Sequence, residues 1–206
     1  MFLFRDSLPD MNAKIRVLHA AAGANSVDVY VDGNKIASDL SFSEITSYNN
    51  ISPGKHKFDI YETGNTTNPL FSDSYEIVPN ETLTLNAVLL GGKLTVFVLK
   101  DNPPTNTSSS SFLRFINLSP NSPLLNLSLA DNKTPLFNSV EYLETTGFYP
   151  LKPELYSFLM TNDYDSSFKK YIGNIKIKSD TSHTLFIIGL NNNEPKIGYL
   201  ITDDKI

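Results

Sequence analysis

The sequence predicts an all-β fold of two tandem antiparallel β-sandwiches, and three observations predict it. First, Arg16-Val17-Leu18-His19 followed by Val27-Asp28-Val29-Tyr30-Val31 returns as Arg114-Phe115-Ile116-Asn117 followed by Leu125-Asn126-Leu127-Ser128-Leu129, offset by 98 positions. The offset has become 100 by Tyr48 and Phe148, Pro53 and Pro153, and Phe58 and Phe158. A spacing near one hundred residues is the size of one sandwich and far longer than a solenoid repeat. Second, apolar and polar residues alternate with the period of two that a half-buried strand requires. Third, turn residues interrupt the chain at short intervals, leaving about seven strands in the first copy, as in a sandwich.

Taken in order, Lys14 to His19 reads as an imperfectly alternating strand, and Val27, Val29 and Val31 face away from Asp28, Tyr30 and Asp32 in the cleanest strand of the chain. Asp32-Gly33-Asn34 then supplies the positive φ of a tight turn, and Lys35-Ile36-Ala37 returns as the second arm of a hairpin. Phe42 and Ile45 fall in a less regular connection, and Ile51-Ser52-Pro53-Gly54 reads as a strand end and corner. Lys57 to Tyr61 resumes the alternation, Phe58 and Ile60 against Asp59 and Tyr61. After a polar loop at Gly64 to Pro69, Leu70 to Val78, Thr82 to Leu90 and Lys93 to Lys100 read as strands, the last two joined at Gly91-Gly92.

Asp101 to Ser111 is a polar run of Asn, Pro, Thr and Ser without a large apolar residue, and the linker is drawn at 102–111. The expected organisation is a tail at 1–12, a first sandwich at 13–101 and a divergent second sandwich at 112–206. In the second copy Asp131-Asn132 replaces the Asp-Gly turn, Glu154 stands in place of Gly54, and Asn191-Asn192-Asn193 replaces Gly91-Gly92. The closing strands are expected at Phe168 to Lys178, Thr184 to Leu190 and Lys196 to Thr202, with Asp203-Asp204-Lys205 fraying.

The chain has 206 residues, 40% of them hydrophobic and 19% charged, an ordinary globular composition. A formal charge of −5 lacks the clustered positive field that nucleic acid requires, and Lys55-His56-Lys57 and Lys169-Lys170 are too short to supply it. No nucleic-acid partner is expected. Absence of cysteine removes disulfides, thiolate metal sites and thiol nucleophiles together. No run approaches the ~20 apolar residues of a membrane helix, so no membrane insertion is expected. Met1 to Asp6 has no basic n-region and no apolar run of signal-peptide length, so classical secretion of the chain as written is not expected.

Arg16 to Ala21, Val27-Asp28-Val29-Tyr30-Val31-Asp32-Gly33 and Ile51-Ser52-Pro53-Gly54 together resemble a domain of unknown function found in bacterial and archaeal envelope proteins. Its members carry a His-Ala-Ser or His-Ala-Ala start, a VDVYVDG strand and a Pro-Ala-Gly turn. The resemblance covers residues 14 to about 100. Beyond them it runs only through Arg114, Asn117, Ser119-Pro120 and the alternation from Leu125 to Leu129. It implies an immunoglobulin-like or transthyretin-like sandwich, often in tandem, in proteins labelled adhesion or surface proteins, and it carries over no catalytic residue. Location at a cell or spore surface follows from the resemblance, and the missing export signal makes the cytoplasm the alternative.

His19 with Asp28 is the first pair for proton transfer or metal binding, but Asn117 and Asn126 stand at the matching positions, and an amide keeps a hydrogen bond without acid–base chemistry. Arg16 and Arg114 recur at equal positions and are expected to pair with carboxylates more readily than to hold an anion. His56 and His183 lack a second ligand at metal spacing, and Asn162-Asp163-Tyr164-Asp165 is the best oxygen cluster for a cation, read first as a solvated loop. Tyr30, Tyr48, Tyr61, Tyr142 and Tyr164 are candidates for outer faces, where tyrosines form a carbohydrate platform or a packing rim. The Asn-x-Ser/Thr triplets at Asn65, Asn80, Asn106, Asn117, Asn126 and Asn132 imply no glycosylation in so Asn-rich a chain.

No nucleophile elbow, phosphate loop or motif-placed carboxylate pair is present, so the expectation is a protein that is not an enzyme, with no cofactor, no metal and no assigned binding residue. The expected function is a binding, adhesion or structural module at a cell or spore surface. The alternatives are an intracellular protein–protein interaction module and a carbohydrate-binding domain, with a protein or glycan as partner. Phe2, Leu3 and Phe4 are expected to dock in the interface between the copies or to mediate self-association, each burying roughly 1.5–3 kcal/mol of apolar side chain.

Overall fold

The computed structural model describes residues 11–104, 111–131, 133–165 and 167–204. The expected docking of Phe2, Leu3 and Phe4 and most of the expected linker lie outside those residues. The fold is all-β. The first half contains β1 (Ala13–His19), β2 (Val27–Val31), β3 (Asn34–Leu40), β4 (Asn49–Ile51), β5 (Gly54–Glu62), β6 (Phe71–Ile77), β7 (Thr82–Leu90) and β8 (Lys93–Lys100). The second contains β9 (Ser111–Asn117), β10 (Leu125–Leu129), β11 (Pro135–Val140), β12 (Glu144–Thr145), β13 (Tyr149–Leu151), β14 (Leu155–Thr161), β15 (Lys169–Lys176), β16 (Ser182–Ile188) and β17 (Gly198–Asp204).

Each half folds into two sheets packed face to face. In the first, β4-β1-β7-β8 covers β3-β2-β5-β6, and in the second β12-β9-β16-β17, with β13 also on β9, covers β11-β10-β14-β15. The pairings are antiparallel except β1 with β7 and β9 with β16, which are parallel and in matching register, Arg16 beside Thr84 and Arg114 beside Thr184. Val27, Val29 and Val31 meet Ile15, Val17, Leu83 and Leu85 in the first core, and Leu125 and Leu127 meet Leu113, Phe115, Leu185 and Ile187 in the second.

The turns follow their residues. Asp32 and Gly33 have φ of 48° and 80°, the two left-handed positions of a tight hairpin between Val31 and Asn34. Asp39 and Ser139 are left-handed at matching irregularities in β3 and β11, and in each a side chain one strand away accepts the kinked residue's N–H: Asp28 Oδ1 at 2.9 Å and Asn126 Oδ1 at 2.6 Å.

A third apolar cluster lies between the halves. Leu18, Ala20, Val88 and Leu99 of the first meet Ile116, Leu118, Phe186 and Ile188 of the second. The sheets carrying β1 and β9 are therefore covered on both faces, and β7 and β16 are buried almost throughout. Tyr142 reaches across this seam to donate its hydroxyl to the Leu89 carbonyl, and burial pushes the phenol up to about 12.

Candidate functional site

Polar chemistry gathers in two places: the seam between the halves and the outer face of the first. At the seam, Arg16 Nε donates to the Thr84 hydroxyl at 2.7 Å and Arg16 Nη2 to Asp204 at 2.6 Å. Arg114 Nε donates to the Thr184 hydroxyl at 3.1 Å and Arg114 Nη2 to Asp101 at 2.5 Å. Thr84 donates to Asp101 and Thr184 to Asp204, which closes a ring of six side chains. Each arginine thus reaches the carboxylate contributed by the other half. Tyr48 lies 4.4 Å over the Arg16 guanidinium and Phe148 4.8 Å over that of Arg114, so the ring has an approximate two-fold relation that follows the sequence repeat. Tyr48 also donates to Asp101 at 2.9 Å, and burial, with that carboxylate, drives its phenol well above the ordinary value.

All four charged residues are at most 4% exposed, so this ring is a sealed, mutually neutralised centre closed to a substrate. Arg16 and Arg114 pair with carboxylates, as expected. Asp101, read as the head of the polar linker run, and Asp204, read in a fraying tail, are instead wholly buried partners of those arginines. Local composition hides this because each aspartate stands at the end of an edge strand and meets its arginine only across the seam, from the opposite half. The recurrence of Thr84 as Thr184 and of Arg16 as Arg114 was the one signal that pointed to it.

The remaining candidates separate. His19 does not meet Asp28. Its Nε2 contacts the Asn25 carbonyl at 3.0 Å and its Nδ1 accepts from Ala21 N–H at 3.3 Å, which fixes a neutral ring, and burial pulls its pKa down. Asn117 performs the same service, its Oδ1 accepting from Ser119 N–H at 3.0 Å. His183 is likewise buried and lowered first by burial, with Asp203 Oδ1 3.0 Å from its Nδ1 opposing that shift. In the Asn162–Asp165 loop, Asn162 accepts from the backbone of Tyr164, Asp163 from Asn126, and Asp165 from Ser167. Among the described residues no group of three His, Asp or Glu side chains converges to hold a metal ion. No helix among them is long and apolar enough to cross a membrane.

Ser52, His56 and Asp32 form a row beside a groove of about 260 Å³ in the first half. His56 Nδ1 lies 2.6 Å from Asp32, and Nε2 lies 2.8 Å from the Ser52 carbonyl but 3.4 Å from its hydroxyl. Both nitrogens face acceptors, which favours the doubly protonated ring, a form that cannot take a proton from Ser52. Burial pulls His56 down, and Asp32 with the Ser52 carbonyl more than offsets it, leaving the pKa raised.

The outer face is different. Tyr30 opposes Asp59 and Asp28 opposes Tyr61 across β2 and β5, so tyrosines and aspartates alternate in a checkerboard on the side away from the core. Lys35 and Ser72 extend the Tyr30–Asp59 row to the edge strands. Lys35 Nζ lies 2.8 Å from Asp28 and 5.4 Å over the Tyr30 ring, and Lys57 Nζ lies 2.9 Å from Asp59. Asp28 is only 2% exposed and Asp59 5%, although both leave a sheet face that has no further layer of sheet over it. Lys35 holds the Asp28 carboxyl below its ordinary pKa. For Asp59, burial pushes upward but Ser72 and Lys57 prevail, so its pKa is also lowered. Tyr30 and Tyr61 stand edge to face, their centroids 5.4 Å apart and planes at 83°. The other sequence candidates do not join them: Tyr48 and Tyr142 serve the seam, and Tyr164 is 83% exposed on its loop.

In the second half the same row reads Pro135, Ser128, Leu159 and Tyr171, and Asn126 faces Thr161 where Asp28 faces Tyr61. The checkerboard belongs to the first half alone.

Compared with known proteins, residues 13–128 match the model of a family described as "Domain of unknown function (DUF4397)". The comparison with curated proteins gave no match. Among solved structures, one described as "Alpha-glucan binding by a streptococcal virulence factor" aligns over 90% of this chain and 95% of its own, at 11% identity and a TM-score of 0.30. A likeness at that level bears on neither fold nor function.

Proposed function

The chain belongs to the DUF4397 family of domains of unknown function, and we propose that it is a non-enzymatic binding module acting at a bacterial cell or spore surface. The observation that supports this reading is the division of its polar groups. Those at the seam and around His19, His56 and His183 are saturated by the fold itself, whereas the Tyr30, Asp59, Asp28 and Tyr61 face is ordered, outward and confined to one copy. Asp28 serves the fold as Asn126 does, each accepting at the kink of the neighbouring strand, but Tyr30, Asp59 and Tyr61 give way to Ser128, Leu159 and Thr161 in the second half, so these three support recognition more than folding.

The surface setting rests on the resemblance to a domain found in bacterial and archaeal envelope proteins. Immunofluorescence on intact cells and spores tests it, with labelling before permeabilisation as the expected outcome and signal confined to the cytosol as the contrary one. Binding is tested separately by incubating labelled chain with intact cells and spores, where Tyr61→Ala is expected to reduce retention and Thr161→Ala is not. Equal retention of both variants would refute a role for this face.

A further inference from the structure

We infer that a groove at the open edge of the first half, between β6 and β8, is the docking site for the apolar segment Phe2-Leu3-Phe4 of the same chain. Both strands are the last of their sheets, β6 beside β5 and β8 beside β7, so no further strand closes the sandwich on this side. The groove has a volume of about 200 Å³. It is lined by the core residues Ile77, Leu83 and Leu85, each at most 3% exposed, and by the half-buried Tyr75 and Val98. A strip of the first core is therefore open to the outside here, and an apolar side chain laid on it removes that strip from water.

The place where the chain enters the fold selects the occupant. The Met11 carbonyl accepts from the Asn80 N–H at 3.4 Å, and Asn80 stands between Val78 and Glu81, which both line the groove. Met11, to which residues 1–10 are joined, thus lies beside the groove. Met11 and Val78 are each 49% exposed, so apolar surface continues from the groove to this attachment point. Phe4 precedes Met11 by seven residues, up to about 23 Å of extended chain, whereas neighbouring strands are only about 4.8 Å apart. The segment has the length to pass from β1 across β7 and β8 to the groove.

Composition sets the other segments outside the described residues apart from this role. Residues 105–110 are threonine, asparagine and serine and bring no large apolar side chain, and 205–206 follow β17 in the second half. The seam between the halves is filled by its own side chains, Leu18, Val88, Ile116 and Phe186 being fully buried. The edge groove is the apolar surface beside Met11 that remains open. Alternate residues of an extended segment share a face, so Phe2 and Phe4 are presented together to the groove with Leu3 turned away. Docked in this way, the segment also shields the unpaired edges of β6 and β8 from a strand of another chain.

The test uses the full chain. In isotope-labelled protein, nuclear Overhauser contacts are expected between the ring protons of Phe2 or Phe4 and the methyl groups of Val78, Leu83, Leu85 or Val98. Combining Phe2→Ser with Phe4→Ser is expected to abolish them and to lower the melting temperature by roughly 3–10 °C, the effect of losing one large buried side chain in a protein of this size. The two cores are built without residues 1–10, so this variant retains a folded state to measure. Absence of the contacts in the parent chain, or a melting temperature unchanged in the double variant, overturns the inference. Contacts that arise only between differently labelled copies in a mixed sample assign the groove to a second copy and equally overturn docking within the chain.

Discussion

At the scale of single residues, His19 shows how a catalytic residue type can be spent on architecture. Its two nitrogens hold the chain that leaves β1, one contacting the Asn25 carbonyl and the other accepting from Ala21, and the ring is fully buried. Burial lowers its pKa from 6.5, so the fold keeps it neutral where the unfolded chain would protonate it. Stability should therefore fall as pH drops below about 6.5, continuing until the lower folded-state value is passed. His183 acts in the same direction. His56 is raised and acts oppositely, its contribution being present below 6.5 and lost as pH rises through its folded value. Urea denaturation of His19→Asn between pH 5 and 7.5, a range of about two and a half units around the ordinary histidine value, should show a shallower acid decline than the parent. An unchanged slope would mean that His19 is not the group responsible. Asn117 and Asn126 at the matching positions argue in the sequence against acid–base chemistry at His19 and Asp28, and in the fold Asp28 turns to Lys35 and Asp39.

At the scale of elements, period-two alternation placed β2 and β5 and both their faces, because a strand buried on one side leaves that signature in every second residue. It described β7 and β16 poorly. Thr82, Thr84 and Asn86, the polar members of the β7 alternation, are at most 3% exposed. Asn86 bears the consequence: its amide donates to the Thr84 and Phe97 carbonyls, while its buried Oδ1 lacks a hydrogen-bond partner. The turn after β16 is equally tied to what surrounds it. Gly189 has φ +90°, and a Cβ there would stand 2.4 Å from the Lys196 carbonyl oxygen, while Asn121 exchanges two hydrogen bonds with the Asn191 backbone. Gly189→Ala should destabilise the protein by about 2 kcal/mol or more, measured by thermal or chemical denaturation, whereas Gly33→Ala, with open space around its Cβ position, should show only the smaller backbone penalty. Equal losses at the two sites would contradict the role given to the Lys196 carbonyl.

For the whole molecule, the decisive contact is the ring of Arg16, Asp204, Thr184, Arg114, Asp101 and Thr84 set beside the apolar seam. Removing one partner strands a charge in a sealed site, so Arg16→Met or Asp204→Leu alone should destabilise by about 3–5 kcal/mol. The double substitution should recover most of that loss, because the remaining Arg114 and Asp101 pair is itself neutral. A double mutant as unstable as the sum of the singles, in a denaturant series followed by circular dichroism, would show that the two groups are not coupled. By itself the sequence determined the repeat, most of the strands, the two faces of β2 and β5 and the candidate tyrosines, because strand alternation depends on neighbours within a few positions and the repeat on a direct comparison of the two copies. The tertiary structure alone decided that Asp101 and Asp204 are interior, that two sheets are covered on both faces, and that Tyr30 and Tyr61 share a face with two buried aspartates. Those facts depend on residues brought together from distant strands, and no local pattern records which surface the other half will cover.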